Sequence, residues 1–147
     1  MAIFILEDRV RTGVPKIDQA HEQLLAGLEK LVDAVRRDVA HKHVVEYLDL
    51  MGYLVTEHFQ DEEAAMRRTG YPLILAHLIQ HQQMAATFNK LADEYRVEGD
   101  NKPLIVRMGN FMSAWMADHM YRYDLHMAQW FQNPANSVAA NQLRVEA

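Results

Sequence analysis

The feature that most constrains this chain is a set of four apolar stripes, each recurring every three to four residues and separated by short breaks rich in glycine, proline and charge. In the first, His21, Leu24, Leu28, Leu31 and Val35 fall at helical spacing, with Leu25 and Val32 widening the stripe. Asp18 stands where an N-cap would, so a helix is expected over 18–38. The second, expected over 41–68, lines up Val44, Leu48, Met51, Val55, His58, Glu62 and Ala65 before Gly70 and Pro72 break it. The third, 72–97, carries Ile74, His77, His81, Met84, Phe88, Leu91 and Tyr95 in steps of three and four. A GDNKP turn follows, and a fourth helix over 103–131 turns Ile105, Met108, Met112, Trp115 and His119 inward.

Four amphipathic helices on short connections hide their stripes most simply as an all-α, up-down-up-down four-helix bundle. The 147 residues suit one domain, read as an N-terminal arm (1–17), the bundle (18–131) and a C-terminal tail (132–147). That tail is small and polar, either loose or packed through Leu143 and Val145.

Composition narrows the chemistry. There are no cysteines, which excludes disulfides, iron–sulfur clusters and thiolate-held metals, so any metal must be bound by nitrogen and oxygen. The net charge of -5, with no dense basic stripe, argues against nucleic acid as a partner. No apolar run is long enough to span a bilayer, and the opening MAIFILEDRVR lacks the basic region of a signal peptide. No membrane association and a cytoplasmic location are therefore expected.

The stripes are interrupted by titratable groups: His21, His58, Glu62, His77, His81 and His119 all fall on inward lines. One histidine there would be an ordinary, hydrogen-bonded core residue. Five with a carboxylate are costly to bury unless they converge on cations. His77 and His81 lie one turn apart on one face, as do His58 and Glu62, so each pair can reach a single ion. The donor set suits iron, with zinc, manganese or cobalt also able to bind. It is too large for one tetrahedral ion. Spacing does not select Asp124: five residues after His119 is about 140° round an ideal helix, and Tyr123 and His126 are better placed to share the face of His119. On that ground Asp124 and Asp118 are equivalent surface charges.

At these residues the chain resembles the hemerythrin family, within it the single-domain bacterial proteins called bacteriohemerythrins. The matching text is GVPKIDQAH at 13–21, HFQDEE at 58–63, GYPLILAHLIQH at 70–81 and WMADHMYRYD at 115–124. The resemblance implies two iron ions with an oxo or hydroxo bridge. His77, His81 and His119 would bind one iron, His21 and His58 the other, and Glu62 and Asp124 would bridge them. It also implies reversible dioxygen binding at the open position of the two-histidine iron, for storage, delivery or buffering. Phe59, Trp115, Met116 and Met120 would wall the dioxygen pocket; Phe59 and Trp115 serve equally as core, and the Met108, Met112, Met116, Met120 series equally as gap filler.

The chain departs from the family at Met116 and Met120, where aliphatic residues are common, and in its arm, where Phe4 or Leu6 replaces a tryptophan. Met at the pocket is flexible and oxidisable, which suggests a looser pocket, a different ligand or faster autoxidation. Asp18 and the backbone are candidate acceptors for outer imidazole N–H groups. Glu63 reads as a solvated charge, with Arg67 in reach, while His41 and His43 read as exposed and His126 as a helix-end charge. The competing functions are a di-iron oxidase, an O2 or redox sensor acting through a partner, and a metal-free interaction bundle. An enzyme is not expected, because the paired Glu-x-x-His motifs of ferritin-like oxidases are absent.

Overall fold

The computed structural model describes residues 4–136, and the part of the expected tail that carries Leu143 and Val145 lies outside them. Helix α1 (Pro15–Arg36) begins three residues ahead of Asp18. Pro15 lacks an N–H and brings a preset φ, which suits the first helical position. Asp18 is therefore not the N-cap. Its carboxylate turns back and accepts from the Thr12 N–H (2.9 Å), the Thr12 hydroxyl (2.8 Å) and the Gly13 N–H (3.1 Å), clamping the incoming arm. The arm is further tied by Gln132, whose Nε2 donates to Thr12 O at 3.0 Å, and by Leu6 and Val10, which are buried in the core. Phe4 packs half-buried beside them.

Helix α2 (His41–Thr69) ends at Gly70 in the left-handed region (φ 67°), where the Tyr71 N–H reaches Met66 O at 3.0 Å. This is the glycine C-cap that frees the chain to reverse. Helix α3 (Ile74–Glu98) starts two residues later than the sequence suggests, because Pro72 and Leu73 are spent on that reversal. Helix α4 (Lys102–His119) is capped by Asn101, whose side chain accepts from the Leu104 N–H at 3.2 Å. Lys102 also pairs with Asp38, which occupies a left-handed turn after α1.

The expected single helix over 103–131 is three segments. After α4 comes one π-helical turn, Met120–Asp124, in which the Leu125 N–H bonds to Met120 O, five residues back; helix α5 (Leu125–Gln132) follows.

Helix α1 packs against α2 and α4, and α3 closes the ring against the same two helices. The architecture is the expected all-α, up-down-up-down bundle. Its interior has two apolar clusters. The larger contains Leu24, Leu28, Leu31, Val44, Leu48, Met51, Phe88, Ile105, Met108 and Met112. The smaller gathers Val14, Ile17, Ala65, Met66, Tyr71, Met127, Ala128 and Phe131 at the other end. Each large aliphatic side chain buried this way contributes roughly 1.5–3 kcal/mol. Between the two clusters lies a polar layer.

Candidate metal centre

The polar layer is made of one or two residues from every long helix: His21 from α1, His58 and Glu62 from α2, His77 and His81 from α3, His119 from α4. Asp124 joins them from the π turn. All seven are buried. Six arrive by ordinary helical periodicity. Asp124 arrives because the π turn accommodates an extra residue, so the fifth residue after His119 returns to its face. The same slip leaves Tyr123 half-buried at the edge of the layer, stacked on His119 with centroids 5.4 Å apart, and His126 exposed, while Asp124, Met127, Ala128 and Phe131 are buried.

Each carboxylate faces two groups of imidazoles. Glu62 Oε1 lies 3.2 Å from His77 Nε2 and 3.1 Å from His81 Nε2, while its Oε2 lies 2.8 Å from His58 Nε2 and 3.9 Å from His21 Nε2. Asp124 Oδ1 lies 3.1 Å from His77 Nε2 and 3.0 Å from His119 Nε2, and its Oδ2 lies 2.9 Å from His21 Nε2. Two donor sets result. One is Glu62, His77, His81, His119 and Asp124; the other is His21, His58, Glu62 and Asp124, with the chosen ligand atoms of each set within 4.8 Å of one another.

The residues fit a pair of cations. Donors held about 2.1 Å from one ion at right angles sit ~3 Å apart, which is the spacing seen here. Many of these atoms are close but not aligned for hydrogen bonds: His21 Nε2, His81 Nε2, His119 Nε2, Glu62 Oε2 and both Asp124 oxygens are buried without a hydrogen-bond partner. Buried polar atoms of that kind are costly unless something else satisfies them, and lone pairs aimed at a common point suit a metal ion.

The electrostatics without metal show how tightly the layer is coupled. For Glu62, burial and the charge of Asp124 would raise the pKa, yet His58 and His77 hold it well below the usual carboxylate range. Asp124 is likewise held low against burial, by His119, His21 and His77. His77 is pulled down by burial but raised further, to about 9, by the adjoining carboxylates of Asp124 and Glu62. His58 is also raised, against its burial, by Glu62, and His119 is lowered because burial outweighs Asp124. Without metal, the two carboxylates favour their charged forms, and His77 and His58 favour the protonated forms that balance them.

A small cavity opens beside the layer, lined by His21, Leu24, Val55, His58, Phe59 and Met84, together with Trp115, Met116, His119, Met120 and Asp124. About 10 Å³ of it admits the centre of a water-sized sphere, room for one very small molecule. His21 and His58 both reach it; His77 and His81 do not. The structure thus places Phe59, Trp115, Met116 and Met120 together on one cavity wall. Met116 and Met120 belong to the same apolar cluster as Met108 and Met112, and of the four they are the two that also line the cavity.

Several residues differ from their sequence reading. Glu63 is not simply solvated: its Oε2 accepts from His81 Nδ1 at 2.9 Å, while Arg67 stands 3.9 Å from its other oxygen. Phe59, four residues earlier, stacks on the same imidazole with centroids 3.8 Å apart. Asp18 bonds the arm and no imidazole. His41 is half-buried, stacked on Tyr95 with ring centroids 4.6 Å apart, whereas His43 is exposed. Leu24, Val55 and Met84 are cavity residues that periodicity marks only as core.

A four-helix bundle with two adjoining histidine-rich donor sets sharing two carboxylates defines a class of non-haem, two-metal proteins. The chain belongs to the hemerythrin family: the model of the hemerythrin HHE cation-binding domain matches residues 12–131. It is 26% identical over 140 residues to a bacteriohemerythrin of Stenotrophomonas maltophilia, covering 95% of this chain and 88% of that one. It is also 26% identical over 125 residues to a bacteriohemerythrin of Pseudomonas aeruginosa (84% and 78% covered). A Clostridium acetobutylicum bacteriohemerythrin is 23% identical over 131 residues (83% and 96% covered). Among the described residues no helix is long and apolar enough to cross a membrane.

Proposed function

We propose that this protein holds two iron ions and binds dioxygen reversibly, as a store, carrier or buffer of the gas. His77, His81 and His119 would hold one ion and His21 and His58 the other, with Glu62, Asp124 and a solvent-derived oxo or hydroxo group across both. Ferrous ions bound there would supply the electrons that dioxygen capture draws on.

The observation that carries the reading is an asymmetry. One donor set has five residues and the other four, and both histidines of the poorer set border the cavity. Of the richer set's three histidines His119 alone borders that space, which favours the position short of a ligand as the one a small molecule would reach. Phe59, Trp115, Met116 and Met120 narrow that space and cover it with apolar surface, which disfavours water and ions and leaves a neutral diatomic molecule as the natural guest. Keeping water and protons out is what reversible release requires. Trp115 stacks on His119, with ring centroids 4.3 Å apart and planes 13° from parallel, so the wall also steadies a ligand.

The test is anaerobic reconstitution with ferrous iron, followed by iron stoichiometry and visible spectra as dioxygen is admitted and removed. Two irons per chain and a charge-transfer band that appears with the gas and fades on its removal are expected. Rapid, one-way passage to the ferric form would point instead to an oxidase or a redox sensor, and failure to hold iron would leave a helical interaction module.

A further inference from the structure

Two histidine-lined positions built from similar parts need not be equally strong, and the surroundings of the imidazoles differ. Among the described residues, His81 is the one of the five whose outer nitrogen meets a carboxylate: its Nδ1 donates to Glu63 Oε2 at 2.9 Å. The outer Nδ1 atoms of His21, His77 and His119 are buried with no hydrogen-bond partner in the protein. His81 is also gripped on its face. Phe59 lies against it with planes 4° from parallel and centroids 3.8 Å apart. Both contacts come from one turn of α2, since Phe59 and Glu63 are four residues apart and share a side of that helix. The stack fixes the plane of the ring, and the hydrogen bond fixes its rotation within that plane. With Nδ1 tied outward, Nε2 points into the layer, 3.1 Å from Glu62 Oε1. The Glu63 side chain remains 22% exposed and stays beside Arg67.

We propose that Glu63 is a positioning residue that makes the three-histidine position the stronger of the two. It keeps the proton of His81 on Nδ1, aims the Nε2 lone pair inward, and, as an anion on the far side of the ring, makes that imidazole a better donor. Among the described residues no carboxylate hydrogen-bonds an outer nitrogen of the His21 and His58 pair in this way. The three-histidine position therefore fills first and releases its ion last. This proposal rests on the two-metal reading above and adds the order and the residue that sets it.

The test titrates the metal-free full-length protein with Co2+, followed by its visible absorption, for the wild type and for Glu63→Gln, Glu63→Ala and Arg67→Ala. The wild type is expected to take up two equivalents in separable steps. Glu63→Ala is expected to weaken the tighter step by roughly 10- to 100-fold and to change the weaker step less. Glu63→Gln, which still offers an acceptor oxygen, should fall between, and Arg67→Ala should match the wild type. In the zinc-loaded protein, nitrogen-15 NMR should show the His81 Nδ1 proton protected from exchange in the wild type and exposed in Glu63→Ala, a signature that general loosening of the fold would not confine to one ring. If Glu63→Ala does not fold, Glu63→Gln carries the comparison. Two equivalents bound with equal affinity in wild type and Glu63 variants would overturn the role of Glu63 and leave the two-metal reading intact. Fewer than two equivalents in the wild type would overturn both.

Discussion

The two halves of the bundle are built by the same helices and filled in opposite ways. Around Leu28, Leu31, Leu48, Phe88 and Met108 the interior is apolar, and every contact there is satisfied by packing alone. One or two turns along the same stripes, His21, His58, Glu62, His77, His81, His119 and Asp124 replace it with a layer of buried donors. The difference separates what folds the chain from what the chain is folded for. The apolar half is stable by its composition, whereas the polar layer is complete only when its lone pairs have something to meet.

Four measurements test that contrast. The largest effect should come from chelating the metal. At a free-ion concentration about 1,000 times Kd, loss of the ion removes ~4 kcal/mol per site. Hydrogen exchange should rise around residues 58–62, 77–81 and 119–124 far more than around 28–51; a uniform rise would dissolve the distinction between the halves. Next, Leu28→Ala should cost about 2–5 kcal/mol in denaturant unfolding, alike with and without metal. His77→Ala should behave differently, abolishing one metal equivalent and destabilising the loaded protein, while in the metal-free protein its cost should depend on pH, because it removes the imidazole beside Glu62 and Asp124.

The third contrast is pH. In the metal-free fold the pKa of His77 is raised from 6.5 to about 9, so the stability it contributes is fully present below 6.5 and is lost as pH rises through 9. His119, pushed below 6.5 by burial, acts in the opposite direction only beneath that value. Thermal scans should therefore show the metal-free protein weakening between pH 6.5 and 9. The loaded protein, its imidazoles coordinated instead of protonated, should stay nearly level across that window. Below about pH 4, loss of the depressed Glu62 and Asp124 charges should destabilise the metal-free form again. The smallest effect is expected from Met116→Leu and Met120→Leu, which keep the volume of the cavity wall. They should change stability by less than ~1.5 kcal/mol while slowing loss of the dioxygen-dependent band on standing in air.

Most of the bundle was legible from periodicity because amphipathic helices must bury their stripes, and the six donors that interrupt those stripes could be read in the same way. Asp124 could not, since an α-helical period places it off the face of His119. The family resemblance supplied it, and a physical signal was nonetheless present: Met127, Ala128 and Phe131 form a stripe that follows from Asp124 and not from His119. Glu63 was missed for the opposite reason. It sits at a rim position that looks solvated, and its role depends on where the neighbouring helix puts His81, which spacing within α2 cannot tell. Asp18 fell on a plausible cap position, but Pro15 and the arm's free N–H groups claimed the helix start and the carboxylate.

The π turn has a consequence for how much change this centre tolerates. It acts as a phase shifter: everything after Met120 is wound about one residue out of step with everything before it. A chain one residue shorter between His119 and Asp124 would reach the same alignment through plain α-helix, four residues being nearly a full turn. A chain one residue longer would have no comparable winding to fall back on. Deleting exposed Arg122 should therefore straighten the rod and keep the carboxylate in place, whereas inserting a residue beside it should swing the carboxylate out and carry the face of Met127 and Phe131 with it. In this segment the spacing is set by two permitted lengths, and the identity of the intervening side chains is left comparatively free.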